Sequence, residues 1–254
     1  MPSRRPRCSP VAPQPLVKRA ASADPSVALP ALSECAPNGS TGSMTDQVRH
    51  PVFARVYGRL AQIAEARGGA EHRRRLLDGC AGRVIEIGAG SGANFAHYPA
   101  TVSEVTAIEP ERHLRERARR AAARAPVSVS VYDGNAERLS CEAASFDVGV
   151  ASLVLCTVPD QQRALAELLR AIRPGGELRF YEHVRATNPG EARFQHLADA
   201  TFWPRISGGC HLARDTSVAI ERAGFEIERC ERFAFSPARY LPPAPHILGT
   251  ARRP

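Results

Sequence analysis

A chain of 254 residues with 43% hydrophobic and 24% charged side chains can bury one full core and has the balance of an ordinary globular protein. No apolar run reaches the roughly 20 residues that span a bilayer, so no integral membrane segment is expected. The formal charge of +8 is nearly all arginine, Lys18 being the sole lysine; the runs Arg73-Arg74-Arg75 and Arg117 to Arg124 read as solvated helix faces.

Aromatic residues make up only 6%, and no part of the chain is left over for a nucleic-acid-binding domain once a core is counted, so no nucleic-acid partner is expected. The seven cysteines are odd in number and none is spaced C-x-x-C. That pattern argues against a disulfide framework and against a zinc site, and makes reduced thiols in the cytoplasm the expectation.

Residues 1–43 are rich in Pro, Ala and Ser, lack periodicity and are expected to be a disordered tail. Their basic residues weakly resemble a transit peptide, and Met44 offers an alternative start. From 44 to 254 the pattern is that of one domain. Val52, Val56, Leu60 and Ile63 are at helical spacing in the segment Val52 to Glu65, where Phe53 and Tyr57 suit a lid. A second helix is predicted over Glu71 to Cys80, a strand over Arg83 to Ile87, and a helix starting near Asn94. A second strand spans Val102 to Ile108, followed by a helix from Glu111 to Arg124. Strands at Val127 to Val131 and Phe146 to Ser152 come next, then a helix from Asp160 to Ile172 stopped by Pro174-Gly175-Gly176. Leu178 to His183 reads as the fifth strand and 189–214 as a helical cap insertion. A helix from Thr216 to Ala223 and strands at Phe225 to Phe233 and His246 to Ala251 close the chain.

Strands alternating with helices predict an α/β fold with a doubly wound, mostly parallel seven-stranded sheet, Rossmann-like, with a helical lid and cap. Such sheets bind ligands beyond the carboxyl ends of their strands, near the switch point. There the sequence places Gly88-Ala89-Gly90-Ser91-Gly92, Glu109, Asn135 and Ser152 to Cys156. The glycines suit a backbone that presses against a nucleoside cofactor. Glu109, about twenty residues on, suits two ribose hydroxyls. Gly88-x-Gly90-x-x-Ala93 also fits the dinucleotide fingerprint, so these features alone leave two cofactors open.

Further motifs separate them. Val84-x-Glu86-x-Gly88-x-Gly90-x-Gly92 resembles motif I of class I S-adenosylmethionine-dependent methyltransferases. Asn135-Ala136-Glu137-x-Leu139, Ser145-Phe146-Asp147-Val148 and Leu169-Arg170-x-Ile172-Arg173-Pro174-Gly175-Gly176 resemble the motifs that follow it in that family. Leu153 to Val158, Tyr181-Glu182-His183-Val184, Gly209-Cys210-x-Leu212-x-Arg214-Asp215 and Pro245-His246-Ile247-x-Gly249 resemble the methyltransferase-like 7 branch, the alkyl thiol methyltransferases. That family usually has aspartate at the positions of Glu109 and Asn135; the residues present can still accept the same hydrogen bonds.

The resemblance implies S-adenosyl-L-methionine as cofactor and no metal. It implies that Gly88, Gly90 and Gly92 admit the methionine and ribose portions, with Glu86 orienting the turn and Ala89, Asn94 and Pro110 among the cofactor-binding residues. Glu109 would hold the ribose hydroxyls, Asn135 and Ala136 would address the adenine, and Ser152 and Leu153 would form the floor beneath the methyl group. His183, ending the fifth strand, is the candidate general base, with Asp199 and His211 as weaker ones. Cys156 and Cys210 suit packing, and Trp203, Phe194 and Phe202 suit either an acceptor wall or the cap's own core. The implied partner is a small-molecule acceptor, a lipophilic thiol foremost. A quinone precursor, an amine or a phospholipid head group is the alternative within the same chemistry, and a non-catalytic cofactor binder is the alternative from another class. The oligomeric state is not specified by these features.

Overall fold

The computed structural model describes residues 64–254 except 238, 240 and 241. The expected tail over 1–43 and the expected lid helix from Val52 lie outside the described residues. Seven strands form one sheet: β1 (Gly82–Ile87), β2 (Val102–Ile108), β3 (Ser128–Tyr132), β4 (Phe146–Ser152), β5 (Ile172–His183), β6 (Glu226–Phe235) and β7 (Ala244–Arg252). Their order is β3-β2-β1-β4-β5-β7-β6. The pairs among β1 to β5 are parallel, whereas β7 runs antiparallel to both β5 and β6. The strand order reverses between β1 and β4, which sets the switch point beside the glycine turn.

The helices are α1 (Ala70–Leu77), α2 (Arg112–Ala122), α3 (Gln161–Ala171), α4 (Pro189–Thr201), α5 (Trp203–Ile206) and α6 (Thr216–Arg222). A single π-turn, Glu65–Gly69, leads into α1. Helices cover both faces, so β1 reads Val84 to Ile87 without an exposed residue. On one face Val84, Val105, Val148, Val150, Tyr181 and Leu248 pack under Leu76 and Leu77 of α1 and Ala118 of α2. On the other, Ile85, Ile87, Leu178, Phe180 and Ile247 pack under Leu165 and Leu168 of α3 and Ile220 of α6.

Glu111, Asp160 and Asp215, two of them expected inside helices, instead cap them, accepting from the N–H groups of Leu114, Arg163 and Val218. No α-helix follows the glycine turn. Only a 3₁₀ turn, Phe95–His97, forms there, because Pro99 holds Tyr98 extended at ψ 129° and ends it. β5 starts directly after α3 and takes in Pro174-Gly175-Gly176, which the sequence suggested as a stop; the pairing with β4 shifts register between Phe146 and Val148 to absorb them. The cap over 189–214 is helical, as expected. Cys80, Cys156 and Cys210 are free thiols, but Cys230 is disulfide-bonded, contrary to the expectation of reduced thiols throughout.

Candidate active site

The three glycines of the turn do different jobs. Gly88 (φ 61°) packs so tightly that an added Cβ would lie 2.2 Å from Val154 Cγ2. One at Gly92 would meet Phe95 at 2.7 Å and Ala121 at 2.9 Å. Gly90 (φ 57°) has nothing within 4 Å of where its Cβ would stand. The expectation that all three make room for a ligand therefore narrows to Gly90; the other two let the turn seat on its own protein. The buried Ala89 donates its N–H to the Ile108 carbonyl at 3.1 Å, tying the turn to the end of β2.

Glu109 closes that end. It is buried, its Oε2 accepts from Gly90 N at 2.7 Å and its Oε1 from Glu111 N at 2.9 Å. Burial pushes its carboxyl up, and the two backbone donors oppose the shift. A carboxylate has about four acceptor positions, so two remain for ribose hydroxyls. Arg115 braces the same corner, donating to the carbonyls of Glu109 and the exposed Pro110 at 2.8 Å and pairing with Asp133 through both nitrogens. Asn135 is exposed and turned inward on its own chain, Oδ1 accepting from Glu137 N at 2.9 Å. One lone pair of that oxygen is left for an adenine amino group, and Ala136 beside it is buried.

Beneath the turn lies a buried polar chain that the sequence did not disclose in full. Glu86 accepts from Asn94 Nδ2 at 2.8 Å and from the Tyr98 hydroxyl at 2.7 Å. Arg73 donates through Nη1 to Asn94 Oδ1 at 2.8 Å and to Ser152 Oγ at 3.0 Å, and through Nε to Glu65 at 2.8 Å. Burial raises the Glu86 carboxyl to about 7, against the pull of Tyr98, Asn94 and Arg73. Arg73, in a run whose composition suggests a solvated helix face, is only 9% exposed. The signal that could have found it is its spacing: Arg73, Leu76, Leu77 and Cys80 form one apolar helix stripe, with a lone cation in it.

The loop after β4 is held from below. Glu182, fully buried, accepts from the N–H groups of Val154 (3.1 Å), Leu155 (2.9 Å) and Cys156 (3.1 Å). Burial pushes its carboxyl well up, and those three donors pull the other way. Leu153, at the head of this loop, has φ 56°, the left-handed region that non-glycine residues avoid, and donates its N–H to the Tyr181 carbonyl at 2.7 Å. Strain of this kind persists only where surrounding contacts over-determine it.

The ends of β5, β6 and β7 supply a second, aromatic cluster. His72 of α1 lies 3.3 Å from the Tyr181 hydroxyl and against Phe233 and Phe235. His183 and His246 face each other as registered partners, rings perpendicular with centroids 5.3 Å apart. Neither nitrogen of the buried His183 has a partner among the described residues. Burial brings both imidazoles down to about 4, so both are neutral near pH 7.

Other candidates are placed elsewhere. Asp199 accepts from Leu212 N at 2.7 Å and Ala213 N at 2.9 Å, a brace for the cap loop rather than an acid or base. His211, held by its own N–H on the Cys156 carbonyl, belongs to that loop. Phe194 and Phe202 are 63% and 48% exposed, so neither packs into a core of the cap. Cys156 is buried and its thiol is pushed well up by hydrogen bonding to Cys210 and by burial, in keeping with packing.

The methyltransferase domain family matches residues 85–180. The mouse (Mus musculus) thiol S-methyltransferase TMT1B is 37% identical over 182 residues, covering 69% of this chain and 73% of its own length. The human (Homo sapiens) thiol S-methyltransferase TMT1A is 34% identical over 183 residues, covering 66% of this chain and 69% of its own. The fold is similar to that of a SAM-dependent methyltransferase from Thermotoga maritima, with TM-score 0.60 and 20% identity over 80% of this chain and 97% of that one.

Proposed function

The chain belongs to the class I S-adenosylmethionine-dependent methyltransferases, in the branch that holds the thiol S-methyltransferases, and on that premise we propose that its methyl acceptor is a lipophilic thiol. The enzyme transfers a methyl group from S-adenosylmethionine to a small molecule. The residues at the rim fit that cofactor. Gly90 offers the open approach, and Glu109 keeps acceptor capacity for the ribose. Arg73 is the one buried cation beside the turn among the described residues and suits the methionine carboxylate. Glu86 and Asn94 fix Arg73, while Ser152 and Leu153 form the floor and Asn135 and Ala136 the adenine edge.

The bound cofactor supplies a methyl group already activated on a sulfonium. The protein's task is alignment and exclusion of water, and placement alone supplies roughly 7–11 kcal/mol of barrier reduction. A thiolate meeting a sulfonium cancels charge, so the step favours a site poor in charge. The observation that carries the thiol reading is that aromatic end of the rim, where Tyr181, Phe233 and Phe235 surround neutral histidines. Cytoplasmic residence is part of the same proposal, and cell fractionation tests it.

A panel of thiols, amines, phenols, a quinone precursor and a phospholipid, each with methyl-labelled cofactor, tests the acceptor. Thiols of rising apolar size should be labelled fastest. Labelling of another class with none on any thiol would overturn the reading. Cofactor binding without transfer to any acceptor would favour the non-catalytic alternative.

A further inference from the structure

Four rings surround that of His246: Tyr181 at 5.6 Å, Phe233 at 5.9 Å, Phe235 at 5.7 Å and His183 at 5.3 Å between centroids. Its Nδ1 lies 2.8 Å from the Ala244 carbonyl. A carbonyl only accepts, so Nδ1 carries the proton, and in a neutral ring Nε2 holds the lone pair. The backbone thus fixes both tautomer and ring plane, as a third group does for the base in nucleophilic catalysis. His183 adds an independent sign of a ligand, because it is buried with both ring nitrogens unpartnered among the described residues. A native core rarely leaves such a group unsatisfied unless something binds there.

The cluster adjoins the cofactor end. α1 places Arg73 on Ser152 and His72 on Tyr181, and Leu153 N donates to the Tyr181 carbonyl. A sulfur lying against the histidines is therefore next to the floor under the methyl group.

We propose that His246 Nε2 takes the proton of the acceptor thiol while His183 positions the sulfur by hydrogen bonding. The proposal rests on the thiol reading above. As the S–H proton moves to Nε2, its electron pair stays on sulfur and forms the bond to the methyl carbon. The bond from that carbon to the sulfonium sulfur breaks, its electrons remaining there as a neutral thioether. The imidazolium then releases its proton to water, so the net products are methylated thiol, demethylated cofactor and one proton. Burial holds the free His246 imidazole low, so Nε2 takes the proton only as the sulfur attacks the methyl carbon and not in a prior step. The ionisable groups facing His246 are His183 and Tyr181 from β5 and His72 from α1; β6 presents Phe233 and Phe235. Arg75 and Glu231, flanking His72, pair with each other.

The test uses two acceptors. An alkyl thiol keeps most of its proton near neutrality, since a free thiol has pKa about 8.5, whereas an acidic aryl thiol is already thiolate. His246→Gln should lower kcat about 100-fold or more with the alkyl thiol and less than about 10-fold with the aryl thiol, at unchanged cofactor affinity. Equal losses on both thiols, or none on the alkyl thiol, would overturn the proton step. Wild-type enzyme that binds cofactor yet methylates neither thiol would overturn the thiol reading itself. Should His246→Gln fail to fold, imidazole nitrogen NMR of the wild type decides. With demethylated cofactor present, added alkyl thiol should shift the His246 Nε2 resonance through a hydrogen bond accepted from the S–H group, and no shift at either histidine would overturn the proposal.

Discussion

The rim of the sheet has two ends under one helix. Over β1 and β4, Glu86, Asn94, Arg73 and Ser152 form one hydrogen-bonded chain, and at the end of β2 Glu109 grips the backbone N–H groups of Gly90 and Glu111. Over β5, β6 and β7, the rings of Tyr181, His183, Phe233, Phe235 and His246 touch, and the two nitrogens of His183 lack partners. A charged, invariant ligand part such as a cofactor's amino acid end suits a preorganised polar cradle. A variable, apolar acceptor suits a surface with little fixed geometry and a few polar atoms held ready. The proposed donor and acceptor sides rest on that difference between the ends.

Replacing the turn glycines sharpens the contrast within the donor end. Gly88→Ala combines a clash with Val154 and a positive φ, and should cost roughly 2–5 kcal/mol of stability in urea unfolding. Gly90→Ala meets no atom and should cost only about 1 kcal/mol, yet weaken cofactor binding at least about 10-fold by calorimetry. Equal stability losses at both would break the division of labour among the glycines.

The donor end should also set a pH signature. The Glu86 carboxyl, raised in the folded state to about 7, binds a proton over a window where the unfolded chain has released it. Stability from this group is therefore full below about pH 4.5 and falls as pH rises towards 7, by on the order of 3 kcal/mol. Glu86→Gln should remove that slope; thermal melts of both proteins from pH 4.5 to 8 check it. His183 and His246, lowered to about 4, act in the opposite direction between about 4 and 6.5, so the difference between the two proteins isolates Glu86.

Arg73 is the next test. Arg73→Met removes the cation but keeps much of the apolar stem, and should weaken cofactor binding about 100-fold, the scale of a lost charge-assisted hydrogen bond. Acceptor KM should change far less. A variant that binds cofactor normally would leave Arg73 a purely structural ion.

The two ends also differ in what their sequence discloses. β2 and β4 have the bounds expected of them, and the glycine turn is contiguous, so strand, turn and Glu109 could be read from local pattern. The acceptor end draws on α1, β5, β6 and β7, elements joined only by the antiparallel return of β7. His183 was legible as a strand-end histidine, but its partner His246 becomes visible only through the register of β5 and β7. Arg73 was hidden in a run of three arginines, two of which do face outward or to the rim. Phe194 and Phe202 suit an acceptor wall or the cap's own core equally by residue type, and only their exposure of 63% and 48% tells against the cap's core.

The smallest expected effect bears on the seam between the ends. Leu153 is held at φ 56° by its N–H bond to Tyr181 and by the grip of Glu182 on the next three amides. Cutting a half-buried leucine to glycine ordinarily removes about 2 kcal/mol or more of apolar burial. Here glycine also relieves the cost of a left-handed residue, about 1–2 kcal/mol. Leu153→Gly should therefore lie within about 1 kcal/mol of wild type in urea unfolding. The turnover number should fall nonetheless, because a freed loop no longer fixes the floor between donor and acceptor. A loss of stability equal to an unstrained leucine deletion would mean that the loop carries no strain, and that Glu182 merely satisfies amides that would lie there anyway.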